Sequence, residues 1–111
     1  MIDWTRVREL KDEIGEEDFA EVVELFLEEV EEVIDRLRVA PEPGRMEEDM
    51  HFLKGSALNL GFRQMGALCA TAERSAATGQ PDVVDVGAVV ASFERSRREF
   101  LAEHLGTAAA A

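Results

Sequence analysis

The most constraining feature of this chain is an apolar stripe that repeats at three- and four-residue steps. Phe19, Val22, Val23, Phe26, Val30, Val33, Ile34 and Leu37 fall on one side of a helix for about five turns. The other side carries Glu21, Glu24, Glu28, Glu29, Glu31, Glu32 and Asp35, which reads as a solvated face. A helix of this length cannot cover its own stripe, so the remaining chain must supply partner helices. "APEPG" at 40–44 ends it with two prolines and a glycine.

The same periodicity continues. A second long helix is predicted from about Arg45 to Leu60, with Gly61 as its stop, because glycine takes the left-handed geometry of a helix C-terminus. A third runs from about Arg63 to Thr78, with Met65, Leu68, Cys69, Ala72 and Ala76 along one face. "GQPD" breaks the chain again, with Asp82 as the expected N-cap of a last helix carrying Val86, Val90, Phe93, Phe100 and Leu101. "VVDVGAVV" has strand propensity, but nothing else in the chain offers it a partner strand. A short piece from Trp4 to Leu10 is expected to cap one end. The fold class is therefore all-α: an antiparallel up-and-down four-helix bundle with a short N-terminal helix. One bundle domain is expected over residues 1–106, with 107–111 as a frayed tail.

At 111 residues there is enough chain for one core and no sign of a second domain. The net charge of −12 argues against nucleic acid and anionic membranes and suits a partner with a basic or apolar patch. A single cysteine, Cys69, cannot form an internal disulfide, and we expect it to be a small core residue. The opening "MIDWTRVREL" shows no apolar run behind a basic start, and no segment has the ~18 uninterrupted apolar residues of a membrane span. These features lead us to expect a cytoplasmic monomer, and the starting methionine and short tail lead us to expect a free-standing protein. Arg95, Arg97 and Arg98 are expected to balance the glutamate-rich helix, and His104 to sit at a helix end.

The chemistry gathers in "HFLKGSALNLG", residues 51–61. On a helical wheel, Met46, Met50, Leu53, Ala57 and Leu60 form the core face, while His51, Lys54, Gly55 and Leu58 cluster on the solvent side. A neutral imidazole is a nucleophile near pH 7 and can accept a phosphoryl group on one ring nitrogen. Lys54, one turn on, offers the cation that the added charge needs. Gly55 at i+4 leaves the ring uncrowded and open to a partner, at a helix cost of roughly 1 kcal/mol. If the second and third helices form a hairpin turning at Gly61–Phe62, Glu73 lies level with His51. From there it can accept a ring N–H and fix the tautomer.

The ordered set His51, Leu53, Lys54, Gly55, Ser56, Ala57, Leu60, Gly61, then Cys69 and Glu73, resembles the histidine-containing phosphotransfer (HPt) domains of multistep phosphorelays. The resemblance implies that His51 takes a phosphoryl group from an aspartyl phosphate on one receiver domain and passes it to an aspartate on another. It implies Lys54 as the residue steadying the phosphoryl group and Glu73 as the one steadying the ring. Partners would be response-regulator receiver domains and a hybrid histidine kinase. No cofactor would belong to the chain itself, with Mg2+ expected on the receivers. The chain would be a covalent carrier and not a turnover enzyme. Phe52 and Leu58 become candidates for docking a receiver, with Met65 assigned to the core in preference to that surface.

Three other readings compete, one of them that the chain is a fragment of a larger hybrid kinase. "EDMH", 48–51, has the Glu-x-x-His spacing of carboxylate-bridged metal bundles, but His104 has Leu101 at i−3, so a second copy is missing, and His51 faces away from the interior. A bundle that binds partners without carrying phosphate would need none of His51, Lys54 and Gly55.

Overall fold

The computed structural model describes residues 2–104 of the chain. Five helices follow one another: α1 (Trp4–Ile14), α2 (Glu16–Val39), α3 (Met46–Leu60), α4 (Arg63–Ala77) and α5 (Val86–His104), with single 3-10 turns at Pro43–Arg45 and Pro81–Val83. There is no strand among the described residues; "VVDVGAVV" divides between the second 3-10 turn and the start of α5. Helices α2 to α5 form the all-α bundle, each packed on the next, with α5 returning to α2. This order places the α3–α4 pair across the bundle from the α2–α5 pair.

The stripe on α2 is buried as its spacing requires: Phe19, Val23, Leu27, Val30, Ile34 and Leu37 enter the core, while Val22, Phe26 and Val33 flank it half-buried. From α3 come Met46, Met50, Leu53, Ala57 and Leu60, and from α4 Met65, Cys69 and Ala72. Met65 is wholly buried and forms no part of an outer surface. Burial pushes the Cys69 thiol up to about 12, so it is the small core residue expected.

The N-terminal piece is longer than expected, running to Ile14 and not to Leu10. It is fastened at its start. The Asp3 N–H donates to the Gly61 carbonyl at 2.7 Å, Ile2 and Phe62 pair as an isolated bridge, and the Asp3 carboxylate caps α1 by accepting from the Arg6 N–H. Trp4 stacks on Phe100, which also meets Phe62 edge-on, closing this end of the bundle.

The expectation for Asp82 fails. Residues Pro81–Val83 form the 3-10 turn, and α5 begins later, with the Asp85 carboxylate accepting from the Ala88 N–H at 2.9 Å. Asp85 is the cap; Pro81, four residues after α4 ends, opens the 3-10 turn that precedes it. Of the three arginines on α5, Arg97 pairs with Glu31 on α2, as charge balance suggests. The predicted frayed tail at 107–111 and the side chain of His104 lie outside the described residues.

Candidate functional site

The site is built on the α3–α4 hairpin. Gly61 ends α3 at φ 78°, and the Phe62 N–H reaches back to the Ala57 carbonyl while the Gly61 N–H reaches Leu58. This pair of bonds closes the helix end and turns the chain within two residues, so α4 runs back alongside α3. A Cβ at position 61 would meet the Asp3 carbonyl oxygen at 2.7 Å, a second reason for glycine there. The hairpin then brings residues equally far from the turn level with each other.

His51 and Glu73 meet across it. The imidazole is two-thirds exposed, and its Nδ1 lies 2.8 Å from Glu73 Oε2. The other carboxylate oxygen, Oε1, lies 2.6 Å from the Lys54 ammonium. These contacts, Lys54 foremost and then His51, hold the Glu73 carboxyl below its ordinary range. Glu73 is thus ionised at neutral pH and can only accept, so the proton on this edge of the ring belongs to Nδ1–H, which donates. Nε2 is the ring nitrogen that Glu73 does not engage, and in the neutral ring it is the one that carries the lone pair.

Three of the residues singled out in the sequence are therefore brought together: His51, Lys54 and Glu73. Lys54, read as the cation for an added phosphoryl group, rests on Glu73 in this state. One carboxylate thus holds both the ring and the ammonium.

Gly55 lies one turn beyond His51 and is exposed, and a Cβ built there meets nothing within 4 Å. A methyl group would not strike the imidazole, so crowding begins only with longer side chains. Phe52 and Leu58 are exposed, at 36% and 52%, on the same helix as His51.

Two neighbours escaped sequence reasoning. Gly66 on α4 is buried beneath Leu58: a Cβ there would lie 2.8 Å from Leu58 Cδ2. Its signal was available, since a glycine inside a helical pattern often marks a close approach. The second is Asp49, 4% exposed in the first turn of α3, which accepts two 2.8 Å hydrogen bonds from the Arg36 guanidinium of α2. The pair raises the basicity of Arg36 and ties α2 to the helix that carries His51. A carboxylate at the edge of the core face, between Met46 and Leu53, was the clue. Among the described residues no three His, Cys, Asp or Glu side chains gather as a metal ion would need, and no helix is long and apolar enough to cross a membrane.

No curated protein and no solved structure matches the chain. The family model of the Hpt domain matches residues 21–110, leaving α1 and the first turn of α2 outside the match. With most of its length matched and the bundle in place, the chain belongs to the Hpt domain family, whose members have a phosphotransfer role in phosphorelays with receiver domains and kinases.

Proposed function

We propose that this chain is a phosphocarrier that takes a phosphoryl group onto His51 Nε2 from an aspartyl phosphate of one receiver domain and delivers it to an aspartate of another. The observation that carries the reading is the Nδ1–Glu73 contact at 2.8 Å, which leaves Nε2 as the open nucleophile on an exposed ring. In the forward step the Nε2 lone pair bonds to phosphorus and the aspartyl oxygen leaves with the bonding pair as a carboxylate. The Nδ1 proton stays on the ring, and delivery reverses the same steps at the second receiver.

Lys54 is the cation held on the same carboxylate as the ring. As charge builds on the phosphoryl oxygens, its flexible side chain shifts from Glu73 toward them. Glu73 retains the ring and so acts as a positioning residue. Mg2+ and the rest of the catalytic groups belong to the receivers, so the chain acts as a covalent carrier and not as a turnover enzyme. A hybrid histidine kinase is the source of phosphate, and the chain works as a cytoplasmic monomer. Phe52 and Leu58 are the apolar contacts on which a receiver seats, with Gly55 leaving room for its approach.

The test is transfer of radiolabelled phosphate from phosphorylated receivers to wild type and to His51→Gln. Acid-labile, base-stable label on wild type alone is expected. Label that persists on His51→Gln would remove His51 from the chemistry. Complex formation without any movement of label would favour a binding module.

A further inference from the structure

Away from the phosphotransfer face, between α2 and α5, lies an open groove of about 1050 Å³. Leu27 and Leu101 give it apolar ground, and Leu25 stands at its edge, 54% exposed. The groove is lined by six carboxylates against two arginines, and one of those arginines, Arg97, is already paired with Glu31. Leu25 is surrounded on its own helix by Glu21, Glu28, Glu29 and Glu32, at i−4, i+3, i+4 and i+7. None of these four has an ion-pair partner among the described residues.

A merely solvated helix face usually mixes the signs of its charges, because like charges four residues apart destabilise a helix. From Glu16 to Asp35, α2 instead carries ten acidic residues and no basic one. An exposed leucine inside such a field is complementary to an apolar side chain flanked by cations. The lining runs from Ala20 to Asp35, about four helical turns, the length of a docked helix.

We propose that this groove docks an amphipathic helix of a partner protein, one with an apolar stripe bordered by lysine and arginine. The apolar stripe covers Leu25 and Leu101, and the basic border meets Glu24, Glu28 and Glu32. The groove shares no residue with the His51 site and lies on the opposite helix pair, so a partner held here leaves the phosphotransfer face open. The chain can then be tethered to one protein while it reacts with another.

The probe is a synthetic Leu/Lys amphipathic helical peptide of 16 residues, measured beside a scrambled peptide of identical composition. Amide NMR shifts on addition of the helical peptide are expected along 20–35 and 97–101, and not around His51. The helical peptide should bind at least about fivefold more tightly than the scrambled one, and Leu25→Gln should remove about that factor. Glu28→Gln with Glu32→Gln should weaken binding and flatten its salt dependence. Equal binding of both peptides would reduce the effect to bulk charge and overturn the proposal. So would shifts centred on His51, or an unchanged affinity in Leu25→Gln. Sedimentation of the chain alone should show a monomer; a dimer dissolved by Leu25→Gln would make a second copy the occupant and overturn it too. None of these readings depends on whether His51 carries phosphate.

Discussion

Leu58 on α3 lies directly over Gly66 on α4, so closely that a methyl group at 66 would sit 2.8 Å from Leu58 Cδ2. The absent side chain is what lets an exposed leucine lie flat on the hairpin, about two turns along α3 from His51. The obstructing atom is the tip of a flexible, half-exposed side chain, so Gly66→Ala should push Leu58 aside without breaking the hairpin. Unfolding stability is expected to stay within about 1 kcal/mol of wild type, since the gain in helix propensity offsets the displacement. Receiver binding should weaken several-fold. Calorimetric titration beside denaturant unfolding checks both, and unchanged binding would show that the placement of Leu58 has no part in docking.

The Glu73 carboxyl is held low by Lys54 and His51, which gives the constellation a defined acid limit. A carboxyl with a depressed pKa favours the folded arrangement above the ordinary glutamate range and loses that contribution as pH falls through its depressed value. The His51–Glu73–Lys54 contacts should therefore persist below pH 4.5, the unperturbed glutamate value, and part together once Glu73 is protonated. The side-chain carboxyl carbon of Glu73 followed by NMR gives the midpoint directly. A midpoint at or above 4.5 would mean that the contacts do not hold in solution.

Arg36 and Asp49 form a two-bonded ion pair with the carboxylate buried and the guanidinium partly wet. Removing the cation alone strands a buried charge, which is the costly way to break such a pair. Arg36→Met is expected to destabilise the fold by about 2 kcal/mol, below the fully buried case because water reaches the guanidinium. Arg36→Met combined with Asp49→Leu should recover most of the loss. Urea midpoints for the single and double variants decide this, and a double variant no better than the single would refute the stranded-charge account.

Gly55 separates two effects of side-chain size. Gly55→Ala fits open space and should stabilise α3 by about 0.5–1 kcal/mol while leaving phosphoryl transfer intact. Gly55→Gln should keep the fold and lose transfer, because the longer chain stands where a partner must approach the ring. Equal transfer in both would remove any steric role for the glycine.

What could be read from the sequence follows from which contacts are periodic. The helices and their buried faces were legible because Phe19 to Leu37 and Met46 to Leu60 repeat at helical spacing. The level pairing of His51 with Glu73 was legible because a two-residue turn makes register a matter of counting. Asp82 was misread because a cap depends on where the chain resumes its helix after Pro81, which residue type alone does not reveal. Lys54 was assigned to an incoming phosphoryl group, while its resting partner depends on the side-chain reach of Glu73. The Arg36–Asp49 pair joins residues across the "APEPG" connection, and no local pattern links them.

The turn at Gly61–Phe62 has a consequence for how the molecule assembles. His51, Lys54 and Glu73 belong to one continuous stretch, and the two ends of the ring contact are 22 positions apart in the chain. Such a contact closes with less loss of chain entropy than one that joins α2 to α5. The His51–Glu73 contact can therefore be set while α2 and α5 are still finding their places. Substitutions in those outer helices would then alter how long the folded state lasts, and leave largely untouched the order in which the hairpin takes shape.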